Sequence, residues 1–359
     1  MSKEFIVMKP KRLHVVNTHG IGDVVMTLPM LMAAHGSGFH LSMTVKSRSE
    51  AQVISCLLAP HNVHIEFVCY QDFSRKGLLG NFKLICSIRK LKPTHVVPTF
   101  SSNKIRYNLL AWASGAKNRI GLGGPLAFLN GFNIDILDGV HKVEKNVSVL
   151  EQALSFWSLP LCLSAPLQLP VFKVDVKKQA TLLSKIGVND RPLVCLAPGS
   201  GVIEKHKRWP IENYAQLAVE LLRNNFQVAV VGGPGEEKLG LKIKEVVGDV
   251  ECFFDTTGQL SILETLLFLN YSSCVVANCN GVSHMAAAVQ APVVGIYGPT
   301  DASLTGPFTK KFKSLSLDLK CRPCYGYGYI QGCGNPICMT AISVNVVLQD
   351  VLINLSSAG

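Results

Sequence analysis

Short β-branched runs alternate with longer helical patterns along the whole chain. In the first half, LHVVN (13–17), HLSMTV (40–45), VHIEFV (63–68) and HVVPT (95–99) read as strands, and 23–34 and 103–115 carry helical spacing. In the second half, PLVCLAP (192–198), QVAVVGG (227–233), CVVAN (274–278) and PVVGIYG (292–298) repeat the rhythm. Helical patterns fall between them at 211–224, 235–247 and 261–270. Near-continuous apolar strands belong to parallel sheets covered on both faces, so the expected class is α/β with doubly wound sheets. LPLCLSAPLQLPVF (159–172) has three prolines and no helical period, which places a boundary there and divides the chain into 1–170 and 171–359. Two such domains leave a ligand cleft facing the carboxyl ends of both sheets.

Composition sharpens this. The 359 residues are 48% apolar and 16% charged, enough for large cores and unlike a disordered chain. No apolar run reaches the length of a membrane span. MSKEFIVMKPKRLHVVNTHG lacks a signal peptide's apolar core and cleavage site, so a cytoplasmic protein with reduced thiols is expected. The net charge of +11 is uneven: residues 1–172 hold 18 Lys and Arg against 9 Asp and Glu, and the remainder 17 against 15. The basic half suggests an anionic partner: a phosphorylated glycolipid, a membrane surface or nucleic acid. A generally basic solvated surface is the plainer alternative. No nucleic-acid motif accompanies the charge. SRKGLLGNFKLICSIRKLK (74–92) interleaves apolar and basic residues, as an ordinary surface helix or one lying on an anionic membrane would.

The candidate chemistry sits just after strands. VVNTHGIGDVVMTLPML (15–31) is strand, glycine turn and helix, with Gly20 and Gly22 permitting close backbone approach. The third glycine of a dinucleotide fingerprint is replaced by Val25, and no acid ends the second strand, which argues against a nicotinamide enzyme. Asp23 reads either as a helix cap or as a general base at the cleft. LAPGSGVIEKHKRWP (196–210) places Gly199, Ser200, Lys205, Lys207 and Arg208 past a strand, as a phosphate cradle or a solvated basic loop would. Glu236 and Glu237 open another helix, where one is a candidate ribose acceptor or both are dipole partners. Thr257 and Gly258 precede a Ser261/Glu264 capping box. In NCNGVSHMAAAV, Gly281, Val282 and Ser283 offer N–H groups at a helix start, with His284 beside them. Cys321, Cys324, Cys333 and Cys338 are spaced C-x2-C-x8-C-x4-C. They suit either a structural zinc or iron site or free thiols.

Taken in order, these residues resemble the bacterial ADP-heptose:lipopolysaccharide heptosyltransferases, glycosyltransferase family 9. GIGDVVMTLPML is similar to the family's opening turn, PGSG…KRWP to its donor-phosphate loop, and NCNGVSHMAAAV…PVVGIYGPTD to its C-terminal signature. CRPC…CMTAISVNVVL is similar to a cysteine-bearing tail, and the resemblance spans about residues 12–350. It implies a GT-B fold, two Rossmann-like domains facing across a cleft, with the first taking the acceptor and the second the sugar nucleotide. It implies an inverting, metal-independent heptose transfer onto the lipopolysaccharide core at the inner membrane, with Asp23 as base and Lys207 meeting the leaving-group charge. The donor would be held by Gly199, Ser200, Lys207, Glu236, Thr257, Gly258, Asn278, Cys279, Asn280, Gly281, Ser283 and His284, and the acceptor by the Gly20/Gly22 turn. One departure stands out: the family's Asn-Asp-[Ser/Thr]-Gly is here Asn278-Cys279-Asn280-Gly281. A neutral thiol replaces an acceptor. That opens two alternatives: another nucleotide sugar or acceptor (O-antigen, capsule, a protein hydroxyl), or a non-catalytic sugar-nucleotide-binding homologue.

Overall fold

The computed structural model describes residues 10–74, 76–100, 104–134, 136–163, 166–201, 204–325 and 333–356. The first half runs β1 (Arg12–Val16), α1 (Ile21–Val25), α2 (Leu28–Gly36), β2 (His40–Val45), α3 (Arg48–Leu58), β3 (Ile65–Cys69), α4 (Gln71–Ser74), α5 (Gly77–Lys90), β4 (His95–Pro98), α6 (Lys104–Ala113), β5 (Asn118–Gly121), β6 (Phe132–Asn133) and α7 (Lys142–Phe156). After α8 (Val176–Ile186) come β7 (Leu193–Ala197), α9 (Ile211–Arg223), β8 (Gln227–Val230), α10 (Glu237–Val247), β9 (Phe253–Asp255), α11 (Ile262–Tyr271), β10 (Cys274–Asn278) and α12 (Gly281–Ala288). The chain closes with β11 (Val293–Ile296), α13 (Ala302–Thr305), β12 (Phe312–Leu315), α14 (Ile337–Thr340) and α15 (Val344–Ser356).

Both sheets are six-stranded, ordered β3-β2-β1-β4-β5-β6 and β12-β11-β10-β7-β8-β9. Read from its other edge, the second repeats the order of the first. The strand order reverses between β1 and β4 and between β7 and β10, which places a crevice at each carboxyl edge. Every strand pair is parallel. β7 and β10 are buried along their whole length, which explains their unbroken apolar sequences. One apolar core runs from the first sheet through α3 into α11 and α12 of the second half; another lies beneath α9 and α15. Among the described residues, no helix is long and apolar enough to cross a membrane.

The single helix expected over 23–34 is two. Pro29 has no N–H to continue the ladder, and the Thr27 hydroxyl donates back to the Val24 carbonyl at 2.6 Å. The short strands β5, β6, β9 and β12 at and near the sheet edges carried no clear sequence signal, being two to four residues long and of mixed composition.

Candidate active site

The first half contributes one turn, at residues 17–20 between β1 and α1. Asn17 Oδ1 accepts from the His19 N–H at 2.9 Å, and the Tyr107 hydroxyl of α6 accepts from the Thr18 N–H at 2.8 Å. The two glycines differ. A Cβ on Gly22 would lie 2.6 Å from the His284 ring of α12, whereas one on Gly20 would meet nothing within 4 Å. The other half of the molecule fixes Gly22; Gly20 borders open space, where a ligand can approach the backbone. Asp23 follows in the first turn of α1 and accepts a hydrogen bond from Lys142, at the start of α7. Burial pushes the Asp23 carboxyl up. The Lys142 ammonium, helped by His19 and His284, outweighs burial and holds it well below the usual carboxylate range. Burial lowers His19, and although Asp23 opposes this, Lys142, Arg106 and Lys46 all add to it. The mouth of this turn is therefore electropositive.

The second half contributes several loops at one sheet edge. Asn278 is fully buried. Its Oδ1 accepts from the Trp209 N–H at 3.0 Å and the Tyr214 hydroxyl at 3.1 Å, and its Nδ2 donates to the Pro198 and Gly199 carbonyls at 2.8 and 3.3 Å. Asn280 caps α12 by accepting from the Ser283 N–H at 3.0 Å, and donates to the Ala197 and Gly199 carbonyls, both at 3.0 Å. The two asparagines thus lock the Pro198–Gly199 bend to the start of α12. Ser200 Oγ accepts from Arg208 Nε at 2.9 Å and donates to the Glu204 carbonyl at 3.0 Å. Glu236 lies across Gly199, where a Cβ would come within 1.8 Å of Oε1. Its Oε2 accepts from the Gly233 N–H at 2.9 Å, and burial raises its pKa. Thr257 donates its hydroxyl to Asp255 at 2.7 Å, and Gly258 turns the chain at φ +70°.

A charged group closes this edge. Lys207 is buried; its Nζ donates to Glu204 Oε1 at 2.6 Å and lies 3.8 Å from the Tyr325 ring centroid. The Tyr325 hydroxyl donates to the same Glu204 oxygen at 2.8 Å. Burial opposes ionisation of Glu204, and Lys207 overcomes it. His284 is buried and lowered to about 4, so its ring is neutral near pH 7; its Nδ1 has no partner among the described residues. Burial raises the Cys279 thiol, which lies beside the Thr300 and Tyr297 hydroxyls. The two halves meet here: a Cβ on Gly281 would be 2.9 Å from Ile21, and Asp23 is within electrostatic reach of His284, Glu204 and Tyr325. The outcome is an ionised carboxylate and cations on one side of a cleft. On the other side are a buried lysine and a helix start whose first N–H groups have no intrahelical acceptor.

Residues 100–333 match the profile of glycosyltransferase family 9 (heptosyltransferase). The chain belongs to this family. It is 29% identical over 166 residues to lipooligosaccharide heptosyltransferase 2 of Haemophilus influenzae, an overlap of 44% of this chain and 48% of that protein. The chain thus spans about half the length of the curated relatives it matches. Among solved structures, a glycosyltransferase family 9 protein of Veillonella parvula superposes with TM-score 0.77 at 19% identity, covering 98% of this chain and 99% of that one. E. coli heptosyltransferase WaaC with ADP-2-deoxy-2-fluoro heptose superposes at 0.67 and 18% identity, covering 96% and 99%. The fold is GT-B, with two Rossmann-like domains.

Within this family 9 fold, the expected site residues fall into groups. Asp23 faces His284, Glu204 and Tyr325, with Lys207 and Cys279 beside that group, and Gly20 borders open space, while Gly22 and Gly281 are packing glycines where the halves touch. Asn278, expected at the donor, spends its amide on the loop frame. The four tail cysteines do not meet the metal expectation. Among the described residues no three His, Cys, Asp or Glu side chains are arranged to hold an ion. Cys321 and Cys333 are exposed, while Cys338 is buried in the second core against Met339 and Gly298. Residues 326–332, inside the Cys-rich segment 321–338, lie outside the described residues. Sequence reasoning missed Lys142, Glu204 and Tyr325, along with the cations Lys46 and Arg106. Lys142 is 119 residues from Asp23, so only the fold reveals the pair.

Proposed function

We propose that this chain transfers a heptose from ADP-heptose to a hydroxyl of a lipopolysaccharide-core acceptor, with inversion and without a catalytic metal. Residues 1–170 would take the acceptor and 171–359 the donor. The observation that carries the reading is the placement of the ionised Asp23 opposite Lys207 and the start of α12. The acceptor oxygen attacks the anomeric carbon, its proton passes to Asp23, the bond from that carbon to the β-phosphate oxygen breaks, and ADP leaves with the electron pair. Lys207, Ser200 and the N–H groups at Gly281 and Val282 would meet the developing charge. Glu236 and Thr257 border the same edge, where the ribose would lie. Lys142 makes Asp23 a weak base while it is paired, so it must be drawn off before proton transfer. An acceptor phosphate entering among Lys46, Arg106 and Lys142 is a natural competitor for it. The solved relative in complex with an ADP-heptose analogue supports the donor class.

Cys279 favours a second reading, the same chemistry with another nucleotide sugar, because its protonated thiol stands where the family pattern has an aspartate. Calorimetric titration with ADP-heptose and with UDP-, GDP- and other ADP-linked sugars separates the readings. Selective ADP-heptose binding is expected. Preference for another sugar nucleotide would make Cys279 the mark of changed donor choice, and no binding at all would leave a non-catalytic homologue.

A further inference from the structure

α5 and α6 cover the same face of the first sheet, as right-handed crossovers from β3 to β4 and from β4 to β5 require. They meet where Arg89 Nε donates to the Ala113 carbonyl at 2.9 Å. Each buries one side, Leu84 and Ile88 in α5, and Tyr107, Leu110 and Ala111 in α6. A surface helix ordinarily turns its polar stripe to water. These two do not. α6 turns out Ile105, Leu109 and Trp112, spaced i, i+4, i+7, with Trp112 50% exposed. α5 turns out Leu78, Leu79 and Phe82, with Leu78 89% exposed, and Phe128 stands 79% exposed in the short turn Ala127–Leu129 beside α6. Charge is segregated as sharply: residues 73–134 contain ten Lys and Arg and no Asp or Glu. Lys76, Lys83 and Lys90 are exposed along α5, with Lys83 one turn from Leu79.

We propose that this face is the docking surface of the chain on an anionic lipid bilayer. Protruding Leu, Phe and Trp side chains ringed by lysines suit the boundary between head groups and acyl chains. The apolar tips enter, and the ammonium groups pair with lipid phosphates. The same helix ties this surface to the candidate base. The inner side of α6 carries Tyr107, whose hydroxyl holds the Thr18 N–H beside the Gly20–Asp23 turn. A bilayer on the outer side of α6 therefore lies about one helix diameter, roughly 10 Å, from that turn. The inference deepens the transferase reading, on which it rests only for the purpose of docking.

The test is flotation of the full chain with vesicles of phosphatidylcholine alone and of phosphatidylcholine with phosphatidylglycerol. Flotation with the anionic vesicles only, weakened by added salt, is expected. The double variants Leu78→Ser/Phe82→Ser and Lys76→Glu/Lys83→Glu should each lower vesicle affinity about tenfold or more, with melting temperature and donor affinity as in the native chain. Native-like flotation of both variants, or no flotation of the native chain, overturns the proposal. So does a native dimer that Leu78→Ser/Phe82→Ser dissociates while vesicles bind neither form. Donor calorimetry on the same samples keeps the two readings apart. Absent flotation of the native chain with donor binding intact sinks the docking surface alone, and flotation of the native chain without donor binding sinks the transferase alone.

Discussion

The two halves share one strand order and treat polar groups at the cleft in opposite ways. In the second half the loop frame is buried and tied by asparagines: Asn278 makes four hydrogen bonds, to the Pro198–Gly199 bend, Trp209 and Tyr214, and Asn280 three, to the same bend and the start of α12. In the first half the charged groups pair with each other near solvent, with the side chains of Asp23 and Lys142 at 27% and 14% exposure. The difference follows the tasks proposed for them. Holding a leaving diphosphate needs donors fixed in advance, so that none reorganises as charge develops. Accepting a proton needs a carboxylate whose present partner can leave.

The largest effect should come from Asp23. Asp23→Asn removes the proton acceptor and leaves the second half untouched, so kcat should fall about a hundred- to ten-thousand-fold, with donor affinity by calorimetry unchanged. Native turnover in this variant would sink the base assignment. Lys142→Met sharpens the point. Without the ammonium the carboxyl protonates more easily, so its pKa rises and the acidic limb of the pH–rate profile should move to higher pH.

Asn278→Ala tests the rigid half. It orphans the buried Trp209 N–H, the Tyr214 hydroxyl and two loop carbonyls together. A loss of about 3 kcal/mol or more in unfolding free energy is expected from so many unsatisfied groups, read by denaturant melts, together with weaker donor binding. A loss no larger than an ordinary helix cap, about 1 kcal/mol, would show that the bend holds itself.

How much of this was legible in the sequence differs between the halves for the same reason. The second half's loops follow long apolar strands and carry their glycines and asparagines locally, so 196–210 and 276–289 announce themselves. What could not be read was division of labour: nothing in NCNG says that Asn278 is spent inward while Cys279 faces the site. In the first half the glycine turn was readable, but its electrostatics were not. Asp23 meets Lys142, and His19 meets Arg106 and Lys46, only after β1, β2, α6 and α7 are brought to one edge, and pairs so distant in sequence leave no local spacing. The short strands β5, β6, β9 and β12 were lost because two to four residues are too few to show a strand's period.

Acid should bear next on the histidines buried in the first sheet, as it does on His284 of α12. The first sheet buries His14, whose ring nitrogens each lie 2.9 Å from the Ser42 and Thr44 hydroxyls, and burial lowers it to about 3; His95 is lowered to about 4, also by burial. The second sheet's strands bury thiols instead, Cys195 and Cys274, which burial pushes up. Below pH 6.5 the unfolded chain binds protons at these histidines that the folded chain refuses, so stability falls with falling pH until the folded values are reached. Each histidine should contribute about 1.4 kcal/mol per pH unit in that window. His14→Gln should flatten the dependence of the melting temperature between pH 6 and 4 by one histidine's share; an unchanged slope would mean that His14 is protonated in the folded protein.

The smallest effect concerns the one place where the rigid half resembles the other. Lys207 is proposed to meet the donor diphosphate, yet it now holds Glu204 at 2.6 Å, with Tyr325 bonded to the same carboxylate oxygen. A diphosphate entering here displaces one carboxylate charge from the lysine, and the cost of that exchange weakens donor binding. Glu204→Gln keeps the shape and the tyrosine's acceptor while removing the competing charge. Donor affinity should rise about two- to fivefold, in proportion to a partly exposed ion pair, and the gain should shrink at high salt. Should affinity fall instead, Glu204 is a brace that holds Lys207 in position, and the second half would then be rigid throughout, with its lysine set in advance like its asparagines.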